Sequence, residues 1–175
     1  VIVDEAYIEF TDKESLTKLL SKYSNLIICQ TFSKAQGMAG IRLGMAFAQA
    51  ELINYINRIK APYNLNSLTI EAAFKRLREQ DQIRKNVNYL IRERKRIVKL
   101  LNDISFIKMI YPSDANFVLV RVDNSDLRYK QLLDLNIVVR NASKNLACEN
   151  TLRISIGLVK ENNALITALH KMEKQ

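Results

Sequence analysis

The chain is poor in the residues that most hydrolytic and metal centres use. Its 175 residues hold one histidine, His170, and two cysteines, Cys29 and Cys148. A Ser-His-Asp set or a histidine-rich zinc site would have to be built around His170, on a segment near the end that reads as a solvent-exposed helix. Two cysteines exclude a zinc ribbon and a disulfide framework. Cys29 reads as a small core hydrophobe on a buried strand, and Cys148 as a loop residue. Of the four glycines, Gly37, Gly40 and Gly44 lie close together. Neither G-x-G-x-x-G nor G-x-x-x-x-G-K-[ST] occurs, which argues against those two phosphate-binding turns. No run of 18 apolar residues exists, and nothing at the start reads as a signal peptide. The sparse use of cysteine fits a reducing cytoplasm.

What is present is a globular composition, 48% hydrophobic, with 27 positive and 18 negative residues and a net charge of +9. The length suits one domain, or one large and one small unit, at roughly 100–200 residues per domain. The charge raises a non-enzymatic basic binding module, for instance a nucleic-acid binder, as an alternative. The densest positive stretch is 92–99, but apolar residues run through it at helical spacing. It reads as the solvated face of a packed helix, with no aromatic stacking motif beside it. The chain opens on Val1 and passes straight into an apolar run. That is the start expected of a piece of something longer.

Residues 1–3 read as a parallel strand covered on both faces and ending at Asp4. A short helix is expected at 15–22, a second strand at 26–29, a glycine-bearing loop at 36–44 and a third strand at 45–48. Leu52, Ile53, Ile56 and Ile59 predict a helix over 51–60, stopped by Pro62. Helices follow at 67–78 and 82–102. The longer one carries Ile83, Val87, Leu90, Ile91, Arg94, Ile97, Val98 and Leu101 on one side. Its polar face is expected to hold Arg84, Lys85, Arg92, Glu93, Arg94, Lys95, Arg96 and Lys99. Beyond it the order is strand 106–111, strand 116–122, helix 127–134, strand 137–140, strand 152–156 and helix 160–174. This predicts a small α+β unit. The boundary is placed at the end of the long helix, giving 1–102 and 103–175.

Four motifs lie at strand ends or in loops, where α/β proteins place their active residues. They are Asp4-Glu5-Ala6-Tyr7, Thr31-Phe32-Ser33-Lys34, Gly40-Ile41-Arg42-Leu43-Gly44 and Leu152-Arg153-Ile154-Ser155. Each alone reads as a turn, a cap or a surface charge. Together, and in this order, they resemble the fold-type I pyridoxal-phosphate enzymes. The fullest likeness is to histidinol-phosphate aminotransferases. It rests on Val3-Asp4-Glu5-Ala6-Tyr7-Ile8-Glu9-Phe10, on Thr31-Phe32-Ser33-Lys34-Ala35, on Ala39-Gly40-Ile41-Arg42-Leu43-Gly44, on Leu152-Arg153-Ile154-Ser155-Ile156-Gly157 and on Ala61-Pro62-Tyr63.

The resemblance implies an α/β fold: the C-terminal part of a large cofactor domain (1–102), followed by a small α+β domain (103–175). The cofactor it implies is pyridoxal 5'-phosphate, an electron sink whose electronics the protein tunes. Lys34 then forms the covalent link to the cofactor and later carries the proton, which requires a buried site near other cations. A buried Asp4 keeps the cofactor ring nitrogen protonated, and Tyr7 hydrogen-bonds its phenolic oxygen. Arg42, with the hydroxyls of Thr31 and Ser33, holds the phosphate, a task suited to a planar, always-charged guanidinium. Arg153 resembles the family's substrate-anion arginine, and Arg140 looks like a second, although a surface charge on an edge strand explains Arg140 equally well.

The implied substrates are glutamate with imidazole-acetol phosphate, giving histidinol phosphate and 2-oxoglutarate, in a cytoplasmic homodimer with no nucleic-acid or membrane partner. Threonine-phosphate decarboxylases and aromatic aminotransferases remain alternatives. The family's phosphate loop, its ring-stacking aromatic and the tyrosine donated across the dimer have no counterpart here. The 175 residues alone are therefore expected to be inactive or nearly so.

Overall fold

The computed structural model describes residues 1–173. The chain divides into two compact units, Val1–Val87 and a second that begins at Asn88.

In the first unit, β1 (Ile2–Asp4), β2 (Ile27–Thr31) and β3 (Gly44–Phe47) form one sheet in the order β1-β2-β3. β1 runs parallel to β2 with Asp4 opposite Cys29, and β3 runs antiparallel with Gly44 opposite Thr31. Helices α1 (Ala50–Ile59) and α2 (Ser67–Leu77) follow. α2 starts where Asn66 caps it, its side chain accepting from Thr69 N–H at 2.8 Å. The buried apolar residues here are few: Phe10, Leu26, Ile28, Phe32, Ala35 and Ala73, with Ile83 and Val87 at the start of α3 (Gln80–Leu101).

Several expectations change in this unit. β1 is an edge strand, and Val1 and Ile2 are 75% and 71% exposed, so it is not covered on both faces. Cys29 is only half-buried, and on β2 only Ile28 is fully covered. The short helix reduces to a 3-10 turn at Leu16–Leu19. Ile59 is 86% exposed, so the apolar stripe of α1 ends at the half-buried Ile56.

The second unit is a four-stranded antiparallel sheet, β4 (Ile107–Ile110), β5 (Phe117–Val122), β6 (Arg140–Asn141) and β7 (Thr151–Ser155), in the order β4-β5-β7-β6. Helices α4 (Ser125–Asp134) and α5 (Val159–Met172) complete it. The period-two alternation of β5 buries Val118, Val120 and Val122 in one core with Leu152, Ile154, Leu132, Leu165, Leu169 and Met172. Ile97 and Leu101 of α3 join the same core. The division into compact units falls inside α3, at Val87/Asn88, and the second half of the helix packs as part of the α+β unit.

The strand expected over 137–140 is confined to Arg140–Asn141, and the expected helix end at Lys174 lies outside the described residues. Two charges assigned to a solvated face of α3 are in fact buried, Glu93 and Arg94 at 8% exposure each. Glu93 accepts from Arg96 and from Asn162 Nδ2, and Arg94 donates to the Ala115 carbonyl. Burial of charge is tolerated there because each group is paired.

Candidate active site

Strand direction gathers three of the four motifs. β1 and β2 run parallel and both end at one end of their sheet, while β3 begins there. Asp4 is the last residue of β1, Thr31 the last of β2, and Arg42 lies just before β3. The loop after β2 carries Ser33 and Lys34. The Lys34 ammonium lies 5.3 Å from the centroid of the Tyr7 ring. A half-buried lysine over an aromatic face is held by cation–π attraction without an acid to neutralise it. Among the described residues no carboxylate forms an ion pair with Lys34.

The local chain explains these positions. Ala6 N–H donates to Asp4 Oδ1 at 2.9 Å, the Asx turn that ends β1. Asp4 is exposed here, not buried as expected, because its edge strand is uncovered. Thr31 Oγ1 accepts from Ser33 N–H at 3.0 Å and donates to the Leu43 carbonyl at 3.4 Å, tying the lysine loop to the arginine loop. Phe32 N–H donates to the same carbonyl at 3.1 Å. Arg42 takes the left-handed conformation, φ 53°, a strained choice for a residue with a side chain. Its Nη1 donates to the Ala39 carbonyl at 3.1 Å. Gly37, at φ 69°, closes the turn after Lys34, and Arg76 of α2 clamps that turn through Nε to the Gln36 carbonyl at 2.8 Å.

The fourth motif lies on the second unit. Arg153 of β7 stands directly opposite Arg140 of β6 in the ladder. Two like charges opposed across a strand pair repel, so the pair suits an anion placed between them. The Arg153 guanidinium lies 5.0 Å from the Phe117 ring, and its Nε is buried with no hydrogen-bond partner among the described residues. Arg140 borders a cavity of about 610 Å³, which Tyr129 and Lys144 also line. A second cavity, of about 470 Å³, lies between the 136–139 segment and α5. Two of its polar side chains are engaged: Glu161 accepts from Leu158 N–H, and Asn162 bonds Gly157 through both ends of its amide.

Sequence reasoning passed over three residues that the structure singles out. Glu5 is buried beside Asp4 and accepts three hydrogen bonds. Arg121, on the outward face of β5, has a buried Nε without a partner and lies 3.9 Å from Glu149. Arg76 had no signal at all. Only the alternation of β5 hinted at Arg121, and only adjacency to Asp4 at Glu5. Among the described residues no group of three or more His, Cys, Asp or Glu side chains could hold a metal ion. No described helix is long and apolar enough to cross a membrane.

The family model described as aminotransferase class I and II matches residues 1–169. A histidinol-phosphate aminotransferase of Flavobacterium psychrophilum is 49% identical over 169 residues, which is 97% of this chain and 49% of the relative. The crystal structure of the histidinol-phosphate aminotransferase from Clostridium acetobutylicum superposes with a TM-score of 0.91 at 32% identity, covering 99% of this chain and 54% of that one. The L-threonine-O-3-phosphate decarboxylase of Porphyromonas gingivalis gives 0.89 at 25%, over 99% and 55%. The histidinol-phosphate aminotransferase of Sinorhizobium meliloti, solved with pyridoxal-5'-phosphate, gives 0.86 at 26%, over 99% and 48%. The chain thus spans about half the length of the curated relatives it matches. The mixed α/β fold, the ordered motifs and these matches agree, and the chain belongs to the class I and II aminotransferase family.

Proposed function

We propose that this chain is part of a pyridoxal-phosphate-dependent histidinol-phosphate aminotransferase, exchanging an amino group between glutamate and imidazole-acetol phosphate. The observation that carries the reading is the convergence of Asp4, Lys34 and Arg42 on one end of one sheet, with Lys34 Nζ over the Tyr7 ring. The residues fit an aldehyde-bearing, phosphorylated cofactor. Lys34 has no acidic partner, Asp4 keeps one carboxylate oxygen without a hydrogen bond, and the Ser33 hydroxyl has no partner among the described residues. When bound, the cofactor withdraws electrons from the substrate's amine-bearing carbon.

The chain's own groups do the rest. Lys34 Nζ is the nucleophile that holds the cofactor, and the base that takes the proton from the substrate carbon and returns it. Asp4 would hold the cofactor ring by its nitrogen and keep that nitrogen protonated, and Tyr7 would donate a hydrogen bond to the ring's phenolic oxygen. Ser33 and Arg42 would hold its phosphate, while Thr31 would act there by fixing the turn. Arg153 and Arg140 are assigned to the anionic ends of the substrates.

In this reading residues 1–102, the first unit with the rest of α3, belong to the large cofactor domain, and residues 103–175 to the small domain. The working enzyme is a homodimer. The placement of this half as the C-terminal one rests on the order of the motifs, not on the share of the relatives covered.

Two experiments test the reading. In the cofactor-loaded enzyme containing this chain, Lys34→Ala abolishes transamination and the cofactor's lysine-linked visible absorbance while the fold survives. Retained activity would overturn the assignment. The 175 residues alone, mixed with pyridoxal phosphate, show little or no transamination, and robust turnover sinks that expectation. The second reading, a threonine-phosphate decarboxylase, is favoured by the close superposition on such an enzyme. Release of carbon dioxide from a phosphorylated amino acid, without formation of 2-oxoglutarate from glutamate, would select it.

A further inference from the structure

Glu5 sits next to Asp4 but has a different environment. It is 7% exposed, and both of its carboxylate oxygens are occupied. Oε1 accepts from Leu16 N–H at 2.7 Å. Oε2 accepts from Ser15 Oγ at 2.7 Å and from Gln30 Nε2 at 2.9 Å. Ser15 in turn caps the 3-10 turn by accepting from Thr17 N–H at 3.1 Å. Glu5 N–H extends the parallel ladder to the Cys29 carbonyl at 2.8 Å. No lysine or arginine forms an ion pair with Glu5 among the described residues. A charge buried without a counter-ion is costly unless its donors are well placed, and an apolar residue of like volume would serve a merely structural role at lower cost. A fully satisfied polar network also holds its members in one arrangement.

The donors show what is being held. Gln30 lies on β2 one residue before Thr31 and four before Lys34, and Glu5 lies between Asp4 and Tyr7. We propose that Glu5 is a positioning residue, its carboxylate bolting the strand end that bears Asp4 and Tyr7 to the strand that delivers Lys34. It acts through those neighbours and touches no reactant. Burial pushes the Glu5 carboxyl up, but the bonds from Leu16 N–H, Ser15 and Gln30 outweigh it and hold the group below the ordinary carboxylate range. The bolt is therefore ionised throughout the neutral range.

The inference rests on the reading of Lys34, Asp4 and Tyr7 as the cofactor-holding set. Its test uses the cofactor-loaded full-length enzyme. Glu5→Gln removes the charge and turns one of the two accepting atoms into a donor, which meets a donor at either position, Leu16 N–H or Ser15 with Gln30 Nε2, unless its partners turn round. The expected result is a fall in kcat on the order of ten- to a hundredfold, as for a misplacement of about 1 Å. KM stays within about threefold, and the pH midpoint of the cofactor's visible absorbance shifts measurably. The reciprocal pair Glu5→Gln with Gln30→Glu restores a donor–acceptor match and returns kcat and the midpoint most of the way to the parent values. If Glu5→Gln lowers only the melting temperature, leaving kcat and the midpoint unchanged, the proposal is overturned. If the reciprocal pair fails to rescue, the link to Gln30 is wrong. Lys34→Ala is the separate control: a lysine-linked absorbance that survives it overturns the functional reading itself, independently of Glu5.

Discussion

The two units are built on opposite plans. The second packs a continuous core, in which Leu132, Leu152, Val118 and Leu101 are almost fully buried under one sheet face and its helices. The first has a short list of buried apolar residues and leaves Ile59, Tyr63, Leu68 and Phe74 between 61% and 99% exposed. Most of the candidate chemistry is on the sparsely packed unit, where Asp4, Tyr7, Lys34 and Arg42 are held by turns, carbonyls and the Glu5 network. Polar anchoring and backbone ladders can aim a side chain at an open strand end, whereas apolar packing would close that end. Core packing and the candidate site accordingly rest on different kinds of contact in different parts of the chain.

The contrast can be broken by substitutions that act on one unit and not the other. The largest effect is expected from Lys34→Ala in the loaded enzyme, at least about 10⁴-fold in turnover with the thermal midpoint moved by only a few degrees. Leu152→Ala should do the reverse, costing about 3 kcal/mol by urea denaturation. Ile28→Ala in the first unit, equally inaccessible, should cost less because its surroundings collapse more readily. Equal costs for the two would remove the distinction drawn here.

A smaller effect concerns acid. The Asp123 carboxylate is held below its ordinary range by the Arg128 guanidinium, against some burial, and Glu93 is held low chiefly by Arg96. For a carboxylate lowered on folding, the unfolded chain binds the proton more readily. The stability it contributes is therefore complete above the ordinary carboxylate range of about pH 4–4.5 and is lost as pH falls through the lower folded value. The urea midpoint should drop as pH falls below that range, and Asp123→Asn should flatten the drop. An unchanged pH dependence in that variant would mean the Arg128 pair contributes nothing. The smallest effect is expected at Phe74, 61% exposed on α2: Phe74→Ser should change stability by less than about 0.5 kcal/mol. A large loss would show that this residue is covered in the folded protein.

Most elements were legible because they are local. The three-and-four spacing of α3 and the alternation of β5 each follow from one stretch of chain and its period. The readings that failed needed partners from elsewhere. The family resemblance implied a buried Asp4, but among the described residues nothing covers that end of β1 and Asp4 is exposed. Glu93 and Arg94 sat among charges and read as solvated, yet Asn162 and the Ala115 carbonyl come from distant segments to pair them. Cys29 followed the apolar character of its strand and proved only half-buried.

By itself the sequence determined which groups are available, namely a lysine, an aspartate, a tyrosine and arginines at strand ends, because their order along the chain is covalent. It also determined where most of the helices and strands form, since periodicity is a property of short windows. Only the tertiary structure decided that β3 returns antiparallel and brings Arg42 to the end where β1 and β2 finish, and that Arg140 faces Arg153 across a ladder. It alone revealed that Glu5 binds Gln30 across 25 residues. Register and cross-strand contact depend on long-range packing, and no local window of sequence contains both partners.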